Sequence, residues 1–407
     1  MISKEITDEI ITIGAGPAGL FASEVIAKKD INVTIFEEHK KVGVPLHCSG
    51  LLSVNGLKLL GEGNPNKPYV LNSRIKGAIF YSPSGISFEV MASDVKAFVV
   101  DRTLFDQEIA SRAKKSGVTI KSHHRVVNIL RKNNHLKVMV ENLIEKKKTQ
   151  IVTPLVIDAE GRSARLRTKL GLKYKLTQLP AYQYVVENVT PLNVEQVELF
   201  FDIRIAKNFF AWIIPIDETT AKVGLATAVG NPKSNLELFM SRPLVAERFK
   251  QSRIQYGYGG SVIISGPIKR IYDNNLLVVG DAAGHVKPTT GGGVILGGLC
   301  AKFAGNVAAN ATLNGRFDKS YLSLYQTLCA KKYGREFKSM KLARRWLNLL
   351  SNKGYDKLFR YIKSNELEHL FVLHGDMDFQ ESTIKRVLKN PAFLIYSLYL
   401  SLLSKIT

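Results

Sequence analysis

The most constraining feature of this sequence is a glycine-rich turn between a short apolar run and a helical pattern near the amino terminus. Residues 9–13 read EIITI, a β-branched run typical of a buried parallel strand. Gly14-Ala15-Gly16-Pro17-Ala18-Gly19 follows, residues 20–29 have a helical pattern, and residues 31–38 form a second apolar run that ends in Glu37 and Glu38. Strand, glycine turn, helix, strand and acid in this order predict a dinucleotide-binding unit.

Each part of this unit has a physical role. Gly14 permits the tight turn, Gly16 lets the backbone approach a pyrophosphate, and Gly19 lets helix and strand pack closely. The helix amino terminus, with Ala15 and Ala18 in the same turn, offers free N–H groups and a positive dipole end to phosphates. We expect Glu37 to accept hydrogen bonds from an adenosine ribose, with Glu38 as its alternative. A glycine-rich turn without a ligand is the other interpretation, and the flanking strands argue against it.

Three later segments identify the dinucleotide as FAD. Residues 276–284, LLVVGDAAG, predict a strand that ends at Gly280-Asp281, and we expect Asp281 to hydrogen-bond a ribityl chain. Residues 100–120 predict a helix that begins at Arg102 and a following strand, while residues 155–165 predict a strand that ends at Asp158. The cofactor-binding residues predicted from these segments and from the helix that begins near position 294 are Arg102, Val126, Asp281, Gly291, Gly292, Gly293 and Val294.

Residues 8–315 resemble the large FAD-dependent family that includes aromatic hydroxylases, flavin halogenases and geranylgeranyl reductases. The resemblance implies that Arg102 and Gly280-Asp281 serve FAD. The segment Asp158-Ala159-Glu160-Gly161 departs from the family's Asp-Gly pattern. The resemblance therefore implies its place in the fold but no contact with FAD. The fold class implied is α/β, with a Rossmann-type FAD-binding domain, an antiparallel β-sheet substrate domain and a C-terminal helical region.

Residues 47–51 narrow the resemblance to the archaeal geranylgeranyl reductase family, which includes digeranylgeranylglycerophospholipid reductases. These enzymes carry a Cys-x-Gly sequence at this place, and Cys48 and Gly50 match it. The resemblance implies that Cys48, Ser49, Gly50 and Leu51 lie beside the flavin. It makes Cys48 the first catalytic candidate, as a proton relay or as a gate on ring position, with simple packing as the alternative. His47 is a weaker candidate for the acid.

A second segment is shared less closely. The reductases carry a motif resembling PxxYxWxFP, and residues 207–215 read KNFFAWIIP. Trp212 and Pro215 match, whereas Phe210 replaces the tyrosine, and the halogenase motif WxWxIP is similarly close. The resemblance makes Phe210, Trp212 and Pro215 substrate-binding candidates, with a core aromatic as the alternative for Trp212.

The resemblance implies an enzyme that saturates isolated C=C bonds of geranylgeranyl chains, with a hydride from reduced FAD and a proton from the protein. We therefore expect a long apolar tunnel with Phe200, Phe201 and Phe209 among its lining residues. NAD(P)H and reduced ferredoxin are both left open as the electron donor, and free diphosphate and ether lipid as the substrate. A flavin-dependent monooxygenase or halogenase and a quinone-reducing flavoprotein are the alternative functions.

The predicted FAD-binding domain is discontinuous and comprises residues 1–80, 98–175 and 255–315. Residues 81–97 and 176–254 form the predicted substrate domain, and residues 316–407 the helical region. Cys48, Cys300 and Cys329 form no disulfide framework and have no metal-ligand spacing, so we predict no metal site.

The formal net charge of +22 points to an anionic partner. Residues 331–363 contain eleven Lys or Arg against Glu336 and Asp356. They predict an amphipathic helix with Leu342, Trp346 and Leu349 on one face and Lys338, Lys341 and Arg345 on another. We expect a cytoplasmic protein without a signal peptide or transmembrane helix, peripheral on anionic membranes, and with no nucleic-acid partner. The apolar residues 391–403 are a candidate shallow anchor.

Overall fold

The computed structural model describes residues 3–6 and 9–389 of the chain, and the candidate anchor at 391–403 lies outside these residues. The strands are β1 (Ser3–Ile6), β2 (Ile10–Ile13), β3 (Val33–Phe36), β4 (Leu51–Ser53), β5 (Val70–Ile75), β6 (Gly77–Tyr81), β7 (Ser87–Met91), β8 (Ala97–Val100), β9 (Thr119–Lys121), β10 (His124–Lys132), β11 (His135–Asn142), β12 (Lys148–Thr153), β13 (Val156–Asp158), β14 (Gln178–Glu187), β15 (Gln196–Phe200), β16 (Ala211–Pro215), β17 (Ala221–Ala226), β18 (Arg253–Ile263), β19 (Tyr272–Asp273) and β20 (Leu276–Val278).

The helices alternate with strands in the first part of the chain and follow one another in the last. They are α1 (Pro17–Ala27), α2 (Val54–Leu60), α3 (Arg102–Lys115), α4 (Arg165–Lys169), α5 (Pro232–Met240), α6 (Ala246–Phe249), α7 (Val294–Leu313), α8 (Lys319–Leu347), α9 (Asn352–Ser364), α10 (Glu368–His374) and α11 (Glu381–Lys389). The predicted strand–turn–helix–strand unit is therefore present as β2, α1 and β3.

The dinucleotide-type layer is a six-stranded sheet in the order β19-β20-β13-β2-β3-β9. All its pairings are parallel except that of β19 with β20. Its central strands β2, β3, β13 and β20 are buried along their whole length, which is why their sequences are β-branched runs without alternation. The carboxyl ends of β2, β13 and β20 lead into the three segments predicted to hold FAD.

Helix α7 is long and apolar enough to cross a membrane by length and composition alone, but 72% of that apolar window is buried inside the protein. It packs against α1 in the main hydrophobic core. A Cβ on Gly305 would lie 2.4 Å from the carbonyl oxygen of Ala22, so glycine at this point permits the close approach of α7 to α1. The small-residue composition of α7 thus reflects helix–helix packing.

A second sheet has seven strands in the order β18-β14-β17-β16-β15-β6-β7. It is antiparallel, as expected for the substrate domain, except that β6 and β15 pair in parallel. The predicted domain ranges stay a prediction. Strand β18, which the prediction had grouped with the FAD-binding segments, pairs with β14 over ten residues of this sheet.

Two smaller sheets complete the strand layers. One has the order β1-β12-β11-β10 and the other the order β4-β8-β5. The second begins directly after the Cys48 segment, since β4 starts at Leu51, and its β8 leads into α3. It therefore joins two of the predicted cofactor-binding segments.

The helices α8–α11 agree with the predicted helical region, but the predicted faces of α8 were wrong. The buried side of α8 carries Phe337, Met340 and Arg344. Leu342 is half exposed and lies on the same stripe as Lys338, Lys341 and Arg345, while the half-exposed Leu349 lies two residues beyond the end of α8. Hydropathy would bury Leu342 and expose Arg344, but the structure does the reverse. Arg344 is buried because it satisfies backbone carbonyls inside the protein.

Candidate active site

One cavity of about 1460 Å³ connects the glycine turn after β2 with the aromatic residues of the seven-stranded sheet. It exceeds the roughly 300–1,000 Å³ of an ordinary ligand pocket, so it has room for more than one ligand. The predicted site residues that line it are Gly14, Ala15, Gly16, Ala18, Gly19, Glu37, Glu38, His47, Cys48, Ser49, Leu51, Arg102, Val126, Asp281, Gly291, Gly292, Gly293, Val294, Phe210 and Trp212. Gly50 and Pro215 are not part of this lining.

The first glycine turn is shaped to admit a dinucleotide backbone. A Cβ on Gly14, whose φ is +95°, would lie 2.6 Å from the carbonyl oxygen of Ala159, and one on Gly19 would lie 2.2 Å from that of Gly14. Next to Gly16, by contrast, a Cβ would meet nothing within 4 Å. Helix α1 begins here without a side-chain cap, so its first N–H groups are free for an anion. These residues fit the pyrophosphate of FAD.

Glu37 directly follows β3, and backbone N–H groups hold its carboxylate in place. Its carboxylate accepts hydrogen bonds from the backbone N–H of Ala15 at 2.8 Å and of His39 at 2.9 Å. The side chain of His39 also contacts it at 2.7 Å. Glu37 is only 8% exposed, whereas Glu38 is exposed. Of the two predicted acids, Glu37 is thus the one whose carboxylate is fixed beside the glycine turn, and its role as the ribose acceptor stays a prediction.

Two carboxyls lie at or just after the ends of β13 and β20: Asp158 is buried and is not part of the cavity lining, whereas Asp281 is half-buried and lines the cavity. Burial, and then the charge of Glu160, raise the pKa of Asp158 to about 8. Its Oδ1 accepts the N–H of Glu160, but within the described residues its buried Oδ2 has no hydrogen-bond partner. Burial also raises the pKa of Asp281. A Cβ on Gly293 would lie 2.7 Å from Asp281 Oδ1, so glycine is required where α7 begins.

Arg102 occupies the first turn of α3, which Asp101 caps. Its guanidinium is buried and donates to both oxygens of Asp106, at 2.9 Å each. Burial lowers the pKa of Arg102, but Asp106 and the Cys48 side chain, which also lies within hydrogen-bonding reach, more than offset this and raise it. The arginine predicted to reach the cofactor is thus also a neighbour of the candidate catalytic cysteine.

The Cys48 segment is held from several directions. The Cys48 thiol accepts the N–H of Gly50 at 3.4 Å, and its carbonyl accepts the hydroxyl of Tyr258 at 3.2 Å. Gly50 has a φ of +78°, and a Cβ there would lie 2.2 Å from the carbonyl oxygen of Val100. Gly50 therefore shapes the loop from outside the cavity. His47 is exposed, and its Nδ1 contacts the carbonyl of Gly259 at 2.8 Å.

Aromatic side chains form another part of the cavity wall. Phe209 and Phe210 stack at 4.2 Å between ring centroids, and Phe201 lies 5.6 Å from Phe210. The indole of Trp212 donates to Gln183, so Trp212 also has a polar role. Of the other expected residues, Phe200 stacks on Tyr81 outside the lining, and Pro215 ends β16, where its carbonyl accepts Asn72.

The C-terminal helices build part of this site, which the sequence analysis missed. Asp378, between α10 and α11, forms a buried ion pair of 2.7 Å with Lys287 and a hydrogen bond with Ser53. Arg344 donates to the carbonyls of Pro288, Thr289 and Asn208. Both cations thus order the loop that leads to Gly291 and α7. No spacing rule in a sequence signals such contacts.

One further cluster lies outside the cavity lining. His285, Cys300 and Cys329 are buried, and their side-chain ligand atoms lie within 4.8 Å of one another. Burial lowers the pKa of His285 to about 3, so its imidazole is neutral. The sequence separation of the two cysteines had given no hint of this contact. The predicted absence of a metal site stays a prediction.

Comparisons with known proteins agree with this geometry. Residues 7–229 match the family described as FAD binding domain. The chain is 31% identical over 406 residues to the digeranylgeranylglycerophospholipid reductase of Methanocaldococcus jannaschii, a similarity that covers 97% of this chain and 98% of that protein.

Solved structures with the same fold have more distant sequences. A geranylgeranyl bacteriochlorophyll reductase-like protein from Thermoplasma acidophilum is 22% identical, with a TM-score of 0.85 and coverage of 98% of this chain and 99% of that one. A flavin-dependent brominase is 18% identical, with a TM-score of 0.74 and coverage of 99% and 100%. At these identities the likeness concerns the fold, and it includes the arrangement of the helical region.

Proposed function

The chain belongs to the digeranylgeranylglycerophospholipid reductase family of FAD-binding proteins, and from this premise we propose that it saturates isolated C=C bonds of geranylgeranyl chains in archaeal ether phospholipid synthesis. The observation that carries the proposal is the continuous cavity that joins the dinucleotide residues to the aromatic compartment. Cys48 is linked to both ends, to Arg102 on one side and to Tyr258 on the other.

Different residues of the site would hold different parts of the cofactor. Glu37 would hold the adenosine ribose, the start of α1 the pyrophosphate, Asp281 the ribityl chain, and the start of α7 the flavin ring. Bound FAD supplies the reducing equivalents of the reaction. The free N–H groups of α7 add the positive end of a helix dipole, which favours negative charge at its amino terminus.

The substrate sets the demands on the rest of the cavity. An isolated trisubstituted alkene is a poor electrophile, so proton and hydride must reach its two carbons in concert or nearly so. The protein contributes alignment and exclusion of water. Phe201, Phe209 and Phe210 lie in the connection between β15 and β16, are buried in the cavity wall and offer an apolar surface for such a chain.

Cys48 is our candidate for the group that moves the proton or gates the ring. Its thiol faces the cavity, and Arg102 stands within hydrogen-bonding reach. His47 is exposed at the other side of the same segment and is the second candidate acid. His285 is a poorer candidate, because burial keeps its imidazole neutral and it lies outside the cavity lining.

Electrons reach the flavin from NAD(P)H or from reduced ferredoxin, and the net charge of +22 favours an acidic ferredoxin. The lipid arrives from an anionic membrane on which the protein docks peripherally. The exposed stripe of α8 combines Lys338, Lys341 and Arg345 with Leu342, which is the composition of an interfacial helix, and Leu349 is exposed just beyond the helix end.

Anaerobic incubation of the purified protein with reductant and an unsaturated geranylgeranyl ether phospholipid tests the function. Mass spectrometry of the lipid should find added pairs of hydrogens. Free geranylgeranyl diphosphate, supplied in parallel, separates the two substrates. An unchanged lipid mass, together with steady NADPH-dependent oxygen consumption in a separate aerobic assay, would favour a monooxygenase or halogenase. Reduction of quinone alone would favour an electron-transfer flavoprotein.

A further inference from the structure

A buried lysine stands behind the Cys48 segment. Lys222 is the second residue of β17, whose residues are all buried, and it is only 3% exposed. Its ammonium donates to the carbonyl of Ser49 at 2.7 Å and to that of Val100 at 3.0 Å. The two carbonyls accept a charged donor, which makes these hydrogen bonds stronger than those between neutral groups.

The two carbonyls belong to the segments that carry the candidate catalytic groups. Ser49 stands between Cys48 and Gly50, and Val100 ends β8 one residue before the cap of α3 and two before Arg102. The N–H of Val100 also donates to the carbonyl of Gly50 at 2.8 Å. One ammonium therefore joins the loop of Cys48 to the strand that leads to Arg102.

The burial of Lys222 is not explained by a gain in folding stability. Within residues 9–389 it takes part in none of the side-chain ion pairs, although its ammonium is buried. An ion taken out of water without a counter-ion costs several kcal/mol, and a methionine of similar length would avoid this cost. A residue that is costly to bury and lies beside a cavity is a candidate for a functional role.

Few titratable or charged groups lie near the ammonium of Lys222. Burial lowers the pKa of Lys222 to about 8, Cys48 and Asp101 oppose this, and Arg102 adds to it. Tyr258 on β18 contacts the same loop, and burial raises its pKa, so its hydroxyl stays neutral. The hold of Lys222 on the loop is therefore sensitive to pH in the mildly alkaline range.

We propose that Lys222 is a positioning residue for the reduction: its charged ammonium holds the Cys48–Gly50 loop against the junction of β8 and α3 and so fixes the Cys48 thiol in the cavity wall. The role in catalysis rests on the proposed function, whereas the role in loop placement does not. Loss of the proton weakens both hydrogen bonds and releases the loop.

The test compares wild type, Lys222→Met and Lys222→Arg as FAD-loaded proteins from about pH 6 to about pH 10. Two quantities are measured, the visible absorption spectrum of the flavin and the rate of lipid reduction. We expect a titration near the pKa of about 8 in both quantities for wild type. Lys222→Met should bind FAD but lack this titration and react at least about tenfold more slowly, and Lys222→Arg should restore the rate and move the titration upward.

Controls separate Lys222 from other groups that titrate nearby. Asp158→Asn removes the carboxyl whose pKa is also about 8, and the flavin titration should survive in it. Lys233→Met, at an exposed lysine of α5, should behave as wild type. A titration that persists in Lys222→Met, or a wild-type rate in that variant, would overturn the proposal. If Lys222→Met does not fold, an unmoved titration in Lys222→Arg overturns it instead.

Failure of the proposed function has a different result. Wild-type protein that reduces no prenyl lipid would refute the reductase assignment, yet the flavin spectrum would still report the Lys222 titration. If wild-type protein reduces the lipid at a normal rate, and substitution of Lys222 changes neither the flavin spectrum nor that rate, only the positioning role would be refuted.

Discussion

The indole nitrogen of Trp212 donates to the side-chain oxygen of Gln183 at 2.9 Å. The amide nitrogen of Gln183 donates in turn to the hydroxyl of Tyr258, which donates to the carbonyl of Cys48 at 3.2 Å. This chain of hydrogen bonds runs from the aromatic wall to the loop of the candidate catalytic thiol. A change in the position of Trp212 is therefore transmitted to Cys48 through polar groups that are costly to leave unpaired.

The bound cofactor should be FAD, and Glu37→Ala should weaken its binding. The substitution removes a charged acceptor, and hydrogen bonds to charged groups contribute about 1.5–3 kcal/mol, or roughly 10- to 150-fold in affinity. Titration of cofactor-free protein with FAD measures this, and Glu38→Ala at the exposed neighbour is the matched control. FMN in the heat-released cofactor, or equal losses in both variants, would contradict the assignment of Glu37.

Cys48→Ala should retain FAD and yet slow lipid reduction or change which double bonds are reduced. The thiol lies in the cavity wall beside Arg102, so its loss removes a proton-carrying group without touching the glycine turn. Product masses and rates are the measurement. Cys329→Ala removes a buried thiol outside the cavity lining and is the control. If Cys48→Ala keeps the wild-type rate and product pattern, Cys48 has only a packing role.

Asp158→Asn should raise the Tm of the FAD-free protein, and more so at about pH 8 than at about pH 5. Burial, with Glu160, raises the pKa of Asp158 to about 8. A carboxyl with a raised folded-state pKa stabilises fully only below its unfolded pKa, and this contribution is lost as the pH rises through the folded value. Asparagine imitates the protonated form at every pH. Thermal denaturation that responds equally at both pH values would show that Asp158 ionises freely.

Asp378→Ala should destabilise the protein by about 3–5 kcal/mol, because it leaves Lys287 charged and buried without its partner. Chemical denaturation gives the free energy of unfolding. The double variant with Lys287→Met should recover much of the loss. Glu381→Ala breaks the more exposed pair with Lys385 and should cost at most about 1 kcal/mol. Similar losses for both single variants would mean that the buried pair is solvated.

The protein should sediment with anionic vesicles at low salt and be released at high salt. Each basic side chain near an anionic surface contributes about 1 kcal/mol, and the attraction decays over a Debye length of about 10 Å at 0.1 M salt. Replacement of Lys338, Lys341 and Arg345 by glutamate should abolish sedimentation. The same change at three exposed lysines, Lys114 and Lys115 of α3 and Lys233 of α5, is the control for net charge. Equal binding to neutral vesicles would leave only an apolar anchor.

The sequence predicted those parts of the site that are local in the chain. The turn at Gly14, the acid at Glu37 and the glycines before α7 follow from neighbouring residues, because a tight turn or a helix start is specified within a few positions. Trp212 was found through its motif, but the same motif gave Pro215, whose place at the end of β16 turns it away from the cavity lining.

The sequence could not predict the contacts made across long separations. Lys222 meets a carbonyl 173 residues away, and Asp378 meets Lys287 across 91 residues. Periodicity favours the surface for a basic residue, and so it gave no sign that Arg344 satisfies three carbonyls inside the protein. Buried cations are specified by the tertiary structure around them, which no single stretch of sequence displays.

The contacts of Arg344 and Asp378 have a consequence for how the protein is made. The glycine turn of the cofactor site leaves the ribosome first, but the loop before α7 gains its anchoring partners only when residues 344 and 378 have been synthesised. Until then its carbonyls and Lys287 have only solvent to satisfy them. The order of this loop, which lies in the wall of the cavity, is therefore completed only by the last quarter of the chain.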